Sequence, residues 1–137
     1  MHRPLDDKAQ VRIALEAEAI LAILALCEAG TASLISSEVL LFEVDHNPHP
    51  ERKGFVSEVL ARTTETIELT EAIEQRAKIL EALGFKALDA LHVASAEAGH
   101  VDYFCTCDDR LLKKMKAQKD LKLTILSPLE LAQELIQ

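Results

Sequence analysis

Two adjoining segments, residues 86–98 and 103–112, most constrain what this chain can fold into. The first reads Lys86-Ala-Leu-Asp-Ala-Leu-His-Val-Ala-Ser-Ala, an apolar helix over 88–98 that carries Asp89 in its first turn and stops at Gly99. The second reads Tyr103-Phe-Cys-Thr-Cys-Asp-Asp-Arg-Leu-Leu, a strand over 102–105, then an acid pair, then a basic helix over 110–116. A helix that feeds a short apolar strand, which feeds another helix, is the repeating unit of an α/β fold with a parallel sheet. Such folds collect their sites beyond the carboxyl ends of the strands. Asp89 and one of Asp108 or Asp109 can therefore meet at one sheet edge. A carboxylate cluster there suits a hard divalent cation, Mg²⁺ or Mn²⁺.

The rest of the chain continues the alternation. Asp6 or Asp7 can cap a long helix that runs to about Glu28 and stops at Gly30. Its C-terminal half, from Ile20, is apolar nearly all round and should be deeply buried. Short strands are expected at 32–36, 66–69 and 123–126. Ser36 or Ser37 caps a helix through Val39, Leu40, Phe42 and Glu43. Residues 47–50, Asn-Pro-His-Pro, form a connector because each Pro biases its predecessor away from helix, and 51–62 reads as a further helix. Thr70 opens another, with Ile73, Ala77, Leu80 and Leu83 at helical spacing, and Gly84 ends it. Ser127, with Pro128 at the first helical position, starts the last.

Composition narrows the class. At 137 residues, 49% of them apolar, the chain is most simply one domain with a real core. No apolar run approaches the roughly 18–20 residues that span a bilayer, and the start lacks a signal peptide's apolar stretch. A cytoplasmic protein with no membrane partner is expected. Three cysteines, an odd number, argue against a disulfide framework. Cys27 reads as a core residue; Cys105 and Cys107 alternate about Thr106 and are poorly placed to grip one metal together, and all three read as small hydrophobes.

A formal charge of −8 sits awkwardly with phosphate binding, which draws on Lys and Arg. Positive charge is concentrated at Arg110, Lys113, Lys114, Lys116 and Lys119. That run is either a solvated helix face or a phosphate-steering patch beside the acids, and composition does not separate the two.

Each candidate acid has an ordinary reading beside the functional one. An ionised Asp89 among Ala87, Leu88, Ala90 and Leu91 needs compensation, either from free N–H groups of the first turn or from a bound cation. Asp108 follows a strand, where an acid is often a helix cap. Glu43 lies near a helix C-terminus, the unfavourable end for an anion, and alone would be an exposed helix residue. His92, three residues after Asp89, shares its face and reads as a packed, hydrogen-bonded histidine before a substrate contact. His46 and His49 have H-x-x-H spacing without a legible third ligand, so they read as loop residues.

Taken together, Phe42-Glu43-Val44 after a Ser-rich strand end, Ala87-Leu-Asp89-Ala-Leu-His-Val-Ala, and Phe104-Cys-Thr-Cys-Asp108-Asp-Arg-Leu carry a resemblance. From residue 2 or 3 to about 131, the chain resembles PIN-domain proteins of the VapC-type ribonuclease class. The resemblance implies a PIN-like α/β fold, a short parallel sheet flanked by helices, and RNA cleavage supported by Mg²⁺ or Mn²⁺. It implicates Glu43, Asp89 and Asp108 as catalytic, metal-binding acids, with Asp109 as an auxiliary ligand. Thr106 resembles the residue that helps orient the site, and Arg110, Lys113 and Lys114 fall on the substrate side. It further implies the toxin half of a toxin–antitoxin pair, its site blocked by a basic residue of a small antitoxin protein.

The start departs from the family, whose members open with a central strand ending in an Asp. Here Met1-His-Arg-Pro-Leu-Asp-Asp resembles the link after that strand. A chain shortened at its N-terminus is expected, with the sheet repaired by rearrangement or by formation of a homo-oligomer. The alternative to an enzyme is a non-catalytic PIN-like dimerisation or partner-binding module.

Overall fold

A computed structural model describes residues 4–46 and 59–136, which form six helices and four strands. In chain order these are α1 (Pro4–Glu28), β1 (Leu34–Ser37), α2 (Glu38–Asp45), β2 (Thr63–Ile67) and α3 (Glu71–Ala82). Then follow α4 (Ala87–Ala98), β3 (Tyr103–Cys105), α5 (Asp109–Ala117), β4 (Thr124–Leu126) and α6 (Pro128–Ile136). The connector at 47–50 and most of the helix expected at 51–62 lie outside the described residues.

Local chemistry sets most boundaries. Ser37 Oγ accepts from Leu40 N at 3.1 Å and caps α2, and Thr70 Oγ1 accepts from Ile73 N at 3.3 Å and caps α3. Ser127 and Glu130 cap α6 reciprocally, at 3.2 and 3.0 Å, which satisfies two N–H groups at once. Gly30 (φ 86°) and Gly84 (φ 106°) adopt the left-handed conformation that ends a helix. Gly99 does not, with φ −80°. It is small for a packing reason: a Cβ there would run into the Ile67 side chain of β2. Asp6 and Asp7, expected as caps, fall inside a helix that already runs from Pro4. β2 begins at Thr63 rather than 66, because the β-branched run of threonines extends the strand upstream.

The chain is mixed α/β and its strand pairs are parallel. The one short sheet expected from sequence is, however, two. β1 pairs with β2 and β3 with β4, and β1 and β3 are not hydrogen-bonded neighbours among the described residues. Each pair has its own helical cover: α2 and α4 pack on the first, α5 and α6 on the second.

The β3–β4 pair separates two cores. Phe104 and Ile125 face a larger cluster built from Ile73, Ala77 and Leu80 of α3, Val93 and Ala94 of α4, and Leu111 and Met115 of α5. Tyr103 and Leu126 face a smaller one made by Ala19 and Ile23 of α1 with Leu131 and Ala132 of α6. This alternation covers both faces of the pair, as parallel strands require. Arg76 joins α3 to α4 through Glu97 at 2.9 and 3.2 Å.

α1 is less enclosed than its apolar sequence implied. In the half from Ile20, Ile23 and Leu24 are buried but Leu21 is exposed; upstream, Ala19 is buried and Val11, Ile13 and Leu15 are exposed. No described helix is long and apolar enough to cross a membrane.

Candidate functional site

Asp89 lies in the first turn of α4, where the cap residue Lys86 supplies no side-chain hydrogen bond. Asp89 itself makes no hydrogen bond or ion pair among the described residues. Burial pushes its carboxyl above the ordinary value, the charge of Asp108 pushes further, and Glu43 adds to the effect. His92 and Lys86 pull the other way without cancelling it. The Glu43–His92 pair joins α2 to α4, and since Coulomb effects fall off with distance, the influence of Asp108 on Asp89 puts the turn before α5 within range. The three acids expected from the sequence therefore share one electrostatic field.

Asp108 is held by its surroundings. Its Oδ1 accepts from Arg110 N at 2.9 Å and Leu111 N at 3.3 Å, capping α5. Its own N–H donates to Thr106 Oγ1 at 3.1 Å. Thr106 is anchored in turn, because its N–H donates to Leu126 O at 3.2 Å and prolongs the β3–β4 ladder. Thr106 thus positions Asp108.

Glu43 pairs through Oε2 with His92 Nε2. A carboxylate only accepts, so the imidazole donates from Nε2. Asp89 on both oxygens, Glu43 on Oε1 and Asp108 on Oδ2 remain open for further contacts among the described residues. These are hard oxygen donors of the kind Mg²⁺ and Mn²⁺ take. No three His, Cys, Asp or Glu side chains of the described residues stand close enough to hold one ion. The acids share a field without forming a closed coordination shell.

Asp109 is engaged elsewhere. Arg12 of α1 donates from both terminal nitrogens to both of its oxygens at 2.6 Å, with Glu16 3.7 Å from Arg12 Nε. The guanidinium holds the Asp109 carboxyl below its ordinary value. This contact joins residues 97 positions apart, and no local pattern announces it.

The basic run also divides. Lys114 Nζ donates to Gly84 O and sits 5.7 Å from the Phe85 ring centroid, and Lys116 pairs with Glu130 at 3.1 Å. Arg110 and Lys113 form no ion pair among the described residues.

The cysteines are not all core. Cys27 is half-buried, while Cys105 and Cys107 are exposed. Although Cys105 keeps open surface, atoms crowd its sulfur closely enough that desolvation, then Cys107, pushes the thiol up to about 12. A raised thiol holds less of the reactive thiolate at neutral pH.

One contact escaped the sequence reading although its signal was present. Phe42 of α2 and His46, the residue that caps the C-terminus of that helix four positions on, stack with ring centroids 4.1 Å apart and an interplanar angle of 29°. His46 Nδ1 donates to Phe42 O at 2.8 Å, which fixes the imidazole. His49 lies outside the described residues.

Compared with known proteins, the chain matches no family model, no curated protein and no solved structure.

Proposed function

We propose that this chain is a PIN-like, metal-dependent endoribonuclease acting at Glu43, Asp89 and Asp108. The observation that carries the reading is the state of Asp89. It is partly desolvated, it lies one turn from His92, the partner of Glu43, and burial, then Asp108 and more weakly Glu43, push it towards protonation against the pull of His92 and Lys86. A fold gains nothing from such an arrangement by itself; a bound cation would reverse its sign.

The donor set suits Mg²⁺ or Mn²⁺. Asp89 through either oxygen, Asp108 through Oδ2 and Glu43 through Oε1 are the atoms that would hold an ion, and because the three do not stand close enough to hold one as they are, they would have to draw together on binding. Bound there, the ion would acidify water and neutralise charge on a phosphodiester. His92 keeps Glu43 oriented from behind, and Thr106 fixes the direction of Asp108. Arg110 and Lys113 steer the RNA backbone towards the acids. In this reading the protein works in the cytoplasm, and a small antitoxin could block the acids with an Arg.

Incubation of labelled RNA with Mn²⁺ tests the proposal. Cleavage that is lost in EDTA and in both Asp89→Asn and Asp108→Asn supports it. Cleavage that survives both substitutions, or no cleavage by the parent chain, removes it.

The division of the sheet favours a second reading, a non-catalytic module that pairs its open strand edges with another copy or partner. A concentration-dependent dimer that binds no Mn²⁺ would select it.

A further inference from the structure

Aromatic residues are scarce here, with no Trp, one Tyr and four Phe. Among those described, Phe85 is buried, Phe104 and Tyr103 are half-buried, and Phe42 alone is exposed, at 59%. A single exposed apolar side chain is ordinary on any surface. Phe42 differs because its ring is ordered: it stacks on His46, whose own ring is pinned to the Phe42 carbonyl. It also immediately precedes Glu43 on α2, about 100° around the helix axis from it.

The charge balance gives that position a use. With a formal charge of −8, and with Lys114 and Lys116 tied to groups of their own fold, backbone contacts alone offer little affinity for RNA. Stacking of a base on an aromatic ring depends little on charge and tolerates any sequence. It demands an unpaired base, because bases within a duplex are already stacked.

We propose that Phe42, braced by His46, is the stacking platform for one unpaired nucleobase of a single-stranded RNA whose backbone phosphate lies over Glu43, Asp89 and Asp108. The inference rests on the nuclease reading of those acids and adds a binding residue. Substrate enters single-stranded, with a base laid on Phe42 beside the scissile phosphate.

The test uses a fluorescein-labelled RNA of about ten nucleotides and an abasic strand with the same phosphates. Anisotropy is read in EDTA and in Mn²⁺, with strand length checked on a gel. The parent chain should bind the base-bearing strand more tightly than the abasic one. Phe42→Ala should weaken binding by about 5- to 150-fold, the range for one stacked base. Phe42→Leu keeps apolar bulk and should lose most of the preference, whereas Phe42→Trp should keep it. Equal binding of the two strands, including no binding of either, overturns the proposal. So does a preference for bases that survives Phe42→Ala. Stacking that disappears with Phe42→Ala while Mn²⁺ and the Asp89 and Asp108 substitutions change nothing would uphold the platform and defeat the nuclease. Mn²⁺-dependent cleavage indifferent to Phe42 would do the reverse.

Discussion

Replacing Asp89 by Asn should make this protein more stable in the absence of metal, the opposite of what most substitutions do. The carboxyl titrates higher in the fold than in the unfolded chain. Its protonated form therefore contributes stability that is present below the unfolded value and is lost as pH rises through the folded one. At neutral pH the parent chain carries the full penalty of the ionised group. Asp108 and Glu43 each repel it by a few tenths of a kcal/mol, on the scale of like-charge pairs on a helix surface. Partial burial adds to this, while Lys86, His92 and the start of α4 offset part of it. Because Asp89 keeps some access to solvent, screening reduces the balance to about 0.5 kcal/mol. For a chain of this length that is roughly 2 °C in Tm. Mn²⁺ should invert the order. At ten times its Kd the parent gains about 1.4 kcal/mol, roughly 5 °C, and Asp89→Asn gains little. Circular-dichroism melts in EDTA and in Mn²⁺, at neutral and mildly acid pH, read all of this. A variant less stable than the parent in EDTA, with both raised equally by Mn²⁺, would refute the argument and leave Asp89 an ordinary first-turn acid.

Three other substitutions probe the frame of the site. Ser37→Ala removes the acceptor for Leu40 N and should cost about 1 kcal/mol in urea denaturation; as α2 carries Glu43, Mn²⁺ affinity should fall with it. Gly99→Ala should destabilise by about 1–2 kcal/mol through collision with Ile67, and a stabilised variant would show that the close approach is mistaken. The Asp109 carboxyl is held low by Arg12, so its contribution is present above the unfolded value and lost as pH falls through the folded one. Asp109→Asn should therefore flatten the acid limb of the stability profile and leave Mn²⁺ affinity unchanged; weakened Mn²⁺ binding would make Asp109 a ligand after all.

What the sequence disclosed was what local chemistry controls. Ser37, Thr70 and Ser127 announce helix starts through short hydrogen bonds, and Gly30 and Gly84 announce stops through a backbone conformation other residues avoid. Strand partners are a different matter, since pairing depends on distant segments. The parallel direction was legible from the alternation, but the division into two sheets was not. α1 gave little clue to its open side because its half from Ile20 is apolar nearly all round, and packing against α6 selects the buried one. The acids were legible as residue types at suggestive positions. Their mutual influence, the pairing of Glu43 with His92 and the capture of Asp109 by Arg12 all span long stretches of chain. The Phe42–His46 stack was within reach, as an aromatic pair at helical spacing.

Calorimetric titration of Mn²⁺ into the 137-residue chain tests the central claim most directly, with an Asp89→Asn, Asp108→Asn double variant as control. The account predicts saturable binding by the parent chain and none by the variant. Equal binding by both, or none by the parent, would contradict it, and the three acids would then be neighbours without a shared task.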